Sequence, residues 1–567
     1  MAESGTAGSG QRAAGSGQRA AGSGQRAAGS GQRAAGSGQR AAGSGLGTHT
    51  VLCVARSATT LHRLLDVLPV FAGDHRVTPL FTLAPGSAYD TDALAALDGA
   101  GARTIPWDEA VTGAHHRLAL AASPNGALHL LPGPLALLPH GAGFNKHLAD
   151  RESATGLDPG QLLHAGRPLA DLHALAHPSQ LARLARTSPT AAAPAKVTGD
   201  PTLERLHHSQ PGRARYRAAL GTGDRRLIVL TSTFGPESLL ARHPELPQRL
   251  TATLPYDTYQ VALVLHPNAR ARHGAFALHQ WLAPALRAGL VLPGPYEEWG
   301  AALIAADLVI TDHGSTALYA AALDRPLIGA YDGGRELVPD SPMAQLLAQV
   351  PRLTSHAPYP GQLAAALAGH RPGSVRPLAD PAFAARGSAL DLLRTELYRL
   401  LGLDPPPGPV LPVPLPEPGA APEPVTAFTV ETASTPDGVR VSRFPAAADG
   451  PPGDHLAADA DRAALGQLQT AALLYRRGPA TGAPDWPALA LAEYPACRTA
   501  AQILAPDRCT VRTRAGARLA VVIDHGPGAP VDPSAVLSAV HARRPTGADR
   551  FRCHLGDRTV GVQLSPL

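Results

Sequence analysis

Lysine is almost missing: Lys146 and Lys196 are the only two among 567 residues, so nearly all positive charge is arginine. A phosphate loop of the G-x-x-x-x-G-K-[ST] kind needs a lysine after glycine, but Asn145 precedes one lysine and Ala195 the other, which excludes a P-loop GTPase. The formal charge of +5 comes mostly from five arginines before residue 43, and the rest is near neutral. No nucleic-acid partner is expected from such a balance. Aromatic residues make up only 4%, so Ala, Leu and Val must fill the cores. The four cysteines (Cys53, Cys497, Cys509, Cys553) form no CxxC or Cys/His spacing, so incidental reduced thiols are expected and no metal site. No uncharged apolar run reaches the length of about 18 residues that a membrane span needs. The first residues also lack the apolar stretch of a signal peptide. A soluble, cytoplasmic protein is therefore expected, with peripheral membrane contact left open.

What is abundant is glycine (58) and proline (56), which points to long loops and linkers. Residues 8–42 are five copies of GSGQRAA. Each heptad has two glycines and no large apolar residue, so it cannot bury a coiled-coil seam, and residues 1–47 are expected to be a disordered tail. From Thr48 onward, continuously apolar strands alternate with helical stretches: His49–Ala55, Arg76–Leu83, Arg117–Ala121 and Leu135–Leu138, then Leu227–Thr231, Gln260–Leu265, Leu308–Thr311 and Pro326–Tyr331. Strands apolar on both faces argue for parallel sheets covered by helices. Two such series predict α/β architecture with two Rossmann-like domains, over 48–195 and 196–403. Ser388–Leu403 reads as an amphipathic helix capped by its serine, and 404–424 as a polyproline-type linker. Residues 425–567 read as a small α+β module with strands at Ala427–Glu431, Arg518–Ile523 and Thr559–Leu564, and helices at Ala457–Tyr475 and Ser534–Arg543.

Chemistry is expected at strand carboxyl ends, where loops and helix N-termini present free N–H groups. After Leu308–Thr311 come Asp312, His313, Gly314, Ser315 and Thr316. Gly314 would let a phosphate approach the backbone, with Ser315 and Thr316 adding hydroxyls; a helix start capped by Ser315 fits the same spacing. After Leu227–Thr231, the hydroxyls of Thr231, Ser232 and Thr233 suit phosphate or ribose, as does a capped helix start. His266 follows a third strand. His140 lies in a Gly-rich turn six residues before Lys146, where an imidazole could take a proton near neutral pH and the lysine could hold an anion.

Taken in order, Pro139-His140-Gly141…Lys146, Val197–Pro201, Thr231–Gly235, His266-Pro267-Asn268 and Ala306-Asp307…Asp312–Thr316…Arg325–Ile328 resemble the CDP-glycerol glycerophosphotransferase-like group over about Thr48 to Leu403. The resemblance implies a GT-B arrangement, with a cleft between the two domains and Ser388–Leu403 packing back across the hinge. It implies His140 as base, and His266, Ser315 and Thr316 facing a nucleotide diphosphate. The partners it implies are a nucleotide-diphosphate donor and, as acceptor, a cell-envelope polymer or related glycan. No cofactor is implied, and without a DxD-like motif no metal. The sequence departs from the group's pattern at Pro139, Gly143 and His313-Gly314. Those departures keep a catalytically degenerate scaffold as an alternative, and a UDP-sugar epimerase-like enzyme is another.

Overall fold

The computed structural model describes residues 49–87, 90–113, 115–139, 141–147, 154–419, 422–446, 450–478 and 485–567. The GSGQRAA repeats and His140 lie outside these residues.

The first sheet is parallel throughout, built from β1 (His49–Ala55), β2 (Val77–Leu83), β3 (Leu118–Ala121), β4 (Leu135–Leu137), β5 (Leu172–Leu175) and β6 (Ala195–Val197), in the order β2-β1-β3-β4-β5-β6. Val51–Ala55 and all of β3 are buried, as helices on both faces require. Helix α1 (Ala58–Val67) leaves the carboxyl end of β1 through a capping box between Ser57 and Thr60. Helix α2 (Pro201–Ser209) begins at Asp200, whose carboxylate accepts from the Leu203 amide at 2.8 Å.

A second parallel sheet follows, with β7 (Arg226–Ser232), β8 (Tyr259–Leu265), β9 (Leu308–Thr311) and β10 (Leu327–Gly329) in the order β8-β7-β9-β10. Gly289–Leu292 contributes only an isolated bridge, Val291 to Ala262. Helix α3 (Thr316–Ala322) follows β9 and is buried from Ala317 to Ala322.

Helix α4 (Ala389–Leu401) returns to the first sheet, where Leu390, Leu393, Leu397 and Tyr398 share a core with Val51, Leu61, Leu64 and Phe71. Ser388 does not cap it; the hydroxyl donates to Ala385 O at 3.1 Å instead. The helix ends at Gly402 in the left-handed region (φ 67°), which glycine adopts without strain. The Pro-rich segment beyond it is pinned to the body: Arg205 donates to Val413 O, Tyr216 to Leu415 O, and the Leu415 side chain is buried.

The small α+β module expected at the carboxyl end is instead a closed nine-stranded barrel. Its strands are β11 (Ala427–Thr435), β12 (Gly438–Pro445), β13 (His455–Asp459), β14 (Leu473–Arg477), β15 (Thr499–Ala505), β16 (Arg508–Thr513), β17 (Arg518–Asp524), β18 (Asp549–Leu555) and β19 (Arg558–Pro566). The helix expected over Ala457–Tyr475 is two strands joined through a short helix, Leu465–Thr470. Alanine and leucine favour helix locally, and pairing with neighbouring strands overrides that weak preference. Helix α5 (Pro533–Arg543) touches β11, β12, β14, β15 and β18, and every side chain from Pro533 to Val540 is buried. A helix covered on all faces must be uncharged along its middle, and SAVLSAV is.

Buried imidazoles make this fold acid-sensitive. Burial, with His541 nearby, holds His455 down to about 3; burial and two arginines hold His541 at about 4; burial alone holds His173 at about 4. The unfolded chain takes up these protons near pH 6.5, whereas the folded chain refuses them until far lower pH. Their contribution is therefore complete above pH 6.5 and is lost as pH falls towards 4. The urea midpoint should drop between pH 7 and pH 5, and His455→Leu should flatten that drop.

Candidate functional site

The strand carboxyl ends of the two sheets bring four loops together. From the first sheet comes the loop after β4, which holds Gly141, Asn145 and Lys146. From the second come the loops after β7, β9 and β10. They are joined across the cleft by backbone: Lys146 and Leu337 form an antiparallel bridge, His147 N donates to Glu336 O at 2.9 Å, and Val338 N donates to Asn145 O at 2.8 Å.

Asp312 organises the second sheet's side of the cleft. It is buried, and its carboxylate accepts from the backbone amides of Thr233 (2.9 Å), Leu239 (2.8 Å) and Gly314 (2.9 Å). The Gly314 amide is thereby turned inward, towards the chain's own carboxylate. Thr231 donates to the Thr311 hydroxyl at 2.8 Å, and Ser232 donates to Thr233 O while accepting from Leu240 N. Thr231, Ser232 and Thr233 are all buried, so these hydroxyls and this amide hold the loop together.

Ser315 and Thr316 are different. Ser315 occupies the N-cap position of α3 in helical geometry and makes no side-chain cap. Neither hydroxyl has a hydrogen-bond partner among the described residues. Both residues are partly exposed, and a Cβ placed on Gly141 would stand 3.2 Å from Ser315 Oγ. His266 caps the helix Pro267–Arg287, its Nδ1 accepting from Asn268 N at 3.1 Å, and its ring lies 4.7 Å from that of Phe234.

Two nitrogens, one from each side, meet on a residue that the sequence reading passed over. Lys146 Nζ and His313 Nε2 each lie 3.1 Å from Glu336 Oε2, and Lys146 also donates to Phe234 O at 3.3 Å. His313 is fully buried, with Gly333 (φ 82°) laid against its ring; a Cβ there would fall 2.2 Å from His313 Cγ. Burial pushes the Glu336 carboxyl upward, but His313 and Lys146 outweigh it and hold it below its usual range. The Gly333-Gly334 pair after the apolar strand Leu327–Gly329 was the available signal for a fourth loop.

Behind these loops lies a buried charge network, of which the sequence motifs include only Asp200, within Val197–Pro201. Arg63 on α1 donates to Pro139 O at 2.8 Å and grips Asp200 with two bonds, of 3.0 and 2.6 Å. Asp200 also accepts from Tyr319 of α3 at 3.0 Å. Thr202 bonds both Arg63 and Asp66, and Arg205 pairs with Asp66 (2.9 Å) and Glu297 (2.5 Å). Burial opposes the charge on Arg63, and Asp200 restores it.

Among the described residues no group of three His, Cys, Asp or Glu side chains could hold a metal ion, and the four cysteines are free and buried. No helix among them is long and apolar enough to cross a membrane.

No protein-family model matches the chain, and no curated protein sequence matches it. Solved structures do resemble it. One is S. aureus MnaA with UDP, at 10% identity, covering 64% of this chain and all of that one, with a TM-score of 0.42. HepE of Anabaena in complex with UDP-glucose is 16% identical over 62% of this chain and 99% of its own, at 0.37. The wall teichoic acid polymerase TagF, in a variant soaked with CDPG, is 14% identical over 63% and 90%, at 0.43.

Proposed function

We propose that the chain is a GT-B transferase that moves glycerol phosphate, another polyol phosphate or a sugar from a nucleotide-diphosphate donor to an acceptor hydroxyl of a cell-envelope polymer or related glycan. The observation that carries this reading is the start of α3. Ser315 leaves its helix uncapped, its hydroxyl and that of Thr316 have no partner among the described residues, and Ser315 faces Gly141 in the loop of the other sheet. Free donors at a strand's carboxyl end suit a diphosphate whose charge grows as the bond to the transferred group breaks. Lys146 would add positive charge from the opposite side. His140 would take the proton of the acceptor hydroxyl, and His266 would lie at the donor's edge.

A thermal-shift series with CDP, UDP and GDP derivatives tests the reading. A donor at 100 times its Kd should stabilise the protein by about 2.7 kcal/mol. Ser315→Ala and Thr316→Ala should each weaken that donor by about 10- to 100-fold, as expected for hydrogen bonds to a charged group. No stabilisation by any of the three at millimolar concentration would sink the proposal.

The scaffold reading is favoured by one observation: Lys146 and His313 already share an internal carboxylate. Product analysis after donor incubation separates the readings. Transfer to an acceptor supports the transferase, an epimerised sugar supports an epimerase, and unchanged donor supports the scaffold.

A further inference from the structure

The Glu336 carboxylate is held in the way a bound oxyanion is held. One oxygen, Oε2, receives the Lys146 ammonium and the His313 imidazole at 3.1 Å each. Because a carboxylate only accepts, His313 Nε2 must carry the proton and act as donor. The other oxygen, Oε1, faces Gly235, where a Cβ would lie 3.3 Å away, so backbone closes that side without a side chain. Among the described residues His313 Nδ1 is buried without a partner, so packing against Gly333 and the Nε2 bond hold the ring. The donors come from both halves of the cleft, whereas the acceptor comes from a loop with two consecutive positive-φ glycines, Gly333 and Gly334. The Glu336 side chain is 27% exposed.

We propose that Lys146 and His313 form a phosphate subsite, and that Glu336 is its internal occupant, displaced when a phosphoryl group enters. The ligand class is a diphosphate or a phosphate monoester. Such a group carries more charge than one carboxylate and offers more acceptor oxygens, so it competes well for the same two donors. Glu336 O and Leu337 also belong to the backbone bridge between the two halves. The displaced side chain therefore belongs to the segment that bonds the two sheets' loops together. The subsite extends the transferase reading given above and rests on the same cleft.

The experiment measures binding of inorganic pyrophosphate, CDP and UDP by calorimetry at low salt, for the wild type, Glu336→Gln, and Glu336→Gln with Lys146→Ala. Removing the internal anion should tighten pyrophosphate binding by about 10-fold, equivalent to about 1.4 kcal/mol. The added Lys146→Ala change should abolish that gain. Glu336→Ala serves as a second variant and should shift affinity in the same direction; melting curves confirm that each variant folds. Pyrophosphate binding no tighter in both Glu336 variants than in the wild type overturns the proposal. If the wild type nevertheless binds CDP or UDP, the transferase reading survives that failure. If the variants gain pyrophosphate affinity while no nucleotide binds, the subsite stands and the transferase reading falls.

Discussion

Arg443→Ala is expected to lower the unfolding free energy by about 3–5 kcal/mol, the range for breaking a buried ion pair from one side. Arg443 is 1% exposed. Its Nε and Nη2 grip Asp257 at 2.8 and 2.6 Å, Nη2 reaches Asp532 at 3.3 Å, and Nη1 reaches the Ser534 hydroxyl at 2.6 Å. Asp257 belongs to the turn before β8 of the second sheet, and Asp532 caps α5 inside the barrel. The guanidinium is thus the clamp between two units, reinforced by Tyr256 N donating to Arg443 O at 2.8 Å and by the Tyr256–Phe428 ring contact. Alanine strands the Asp257 carboxylate, whereas Asp532 keeps Arg477 at 2.8 Å. Calorimetry should show one transition splitting in two, as the barrel melts apart from the α/β body. Combining Arg443→Met with Asp257→Asn should recover part of the loss, because a neutral, filled site avoids the stranded charge.

Asp200→Ala should cost a similar amount, about 3–5 kcal/mol, with about 1 kcal/mol of it from the lost helix cap. Asp200 is 3% exposed and has three duties: it pairs with Arg63 of α1, accepts from Tyr319 of α3, and caps α2. Its loss strands the Arg63 charge, which is itself 4% exposed. Asp200→Asn keeps the cap while neutralising the pair, so it should fall between wild type and alanine in urea titrations. A donor-binding loss should accompany both variants, since Tyr319 anchors the helix whose first turn carries Thr316. An alanine variant as stable as the wild type would show that Thr202 and Pro139 O hold Arg63 without Asp200.

The parallel sheets were legible because their strands are apolar on both faces, a pattern that α1 and α3 complete at the expected places. The stretch from Asp307 to Tyr331 shows the strand, loop, helix and strand expected of it. The barrel was illegible for a physical reason: its strands β13, β14 and β15 are largely buried on both faces, and their Ala-rich runs look helical when taken alone, as in 457–475. At the cleft, the sequence pointed to Ser315, Thr316, Lys146 and His313 but gave no means of ranking hydroxyls. Thr231 and Ser232 resemble Ser315 in composition, yet they turn inward because the Asp312 carboxylate draws the loop around itself. Arg63 and Asp66 read as ordinary polar positions on an amphipathic helix, and only a second unit packed over them makes them buried. Glu336 had no local signature, because its meaning comes from Lys146, nearly two hundred residues earlier.

Strand pairing in the barrel also sets which contacts must wait during synthesis. Strand β12 finds its neighbour in β18, so Gly438 waits for Arg552, and β17 waits for β19. Four of the five strands that α5 touches precede it in the chain, and only β18 follows. A nascent chain that has not yet reached Arg558 leaves β17 and β18 each with an unpaired edge, a template for pairing with another chain. Closing the barrel thus waits on β19, the strand that pairs with both of them.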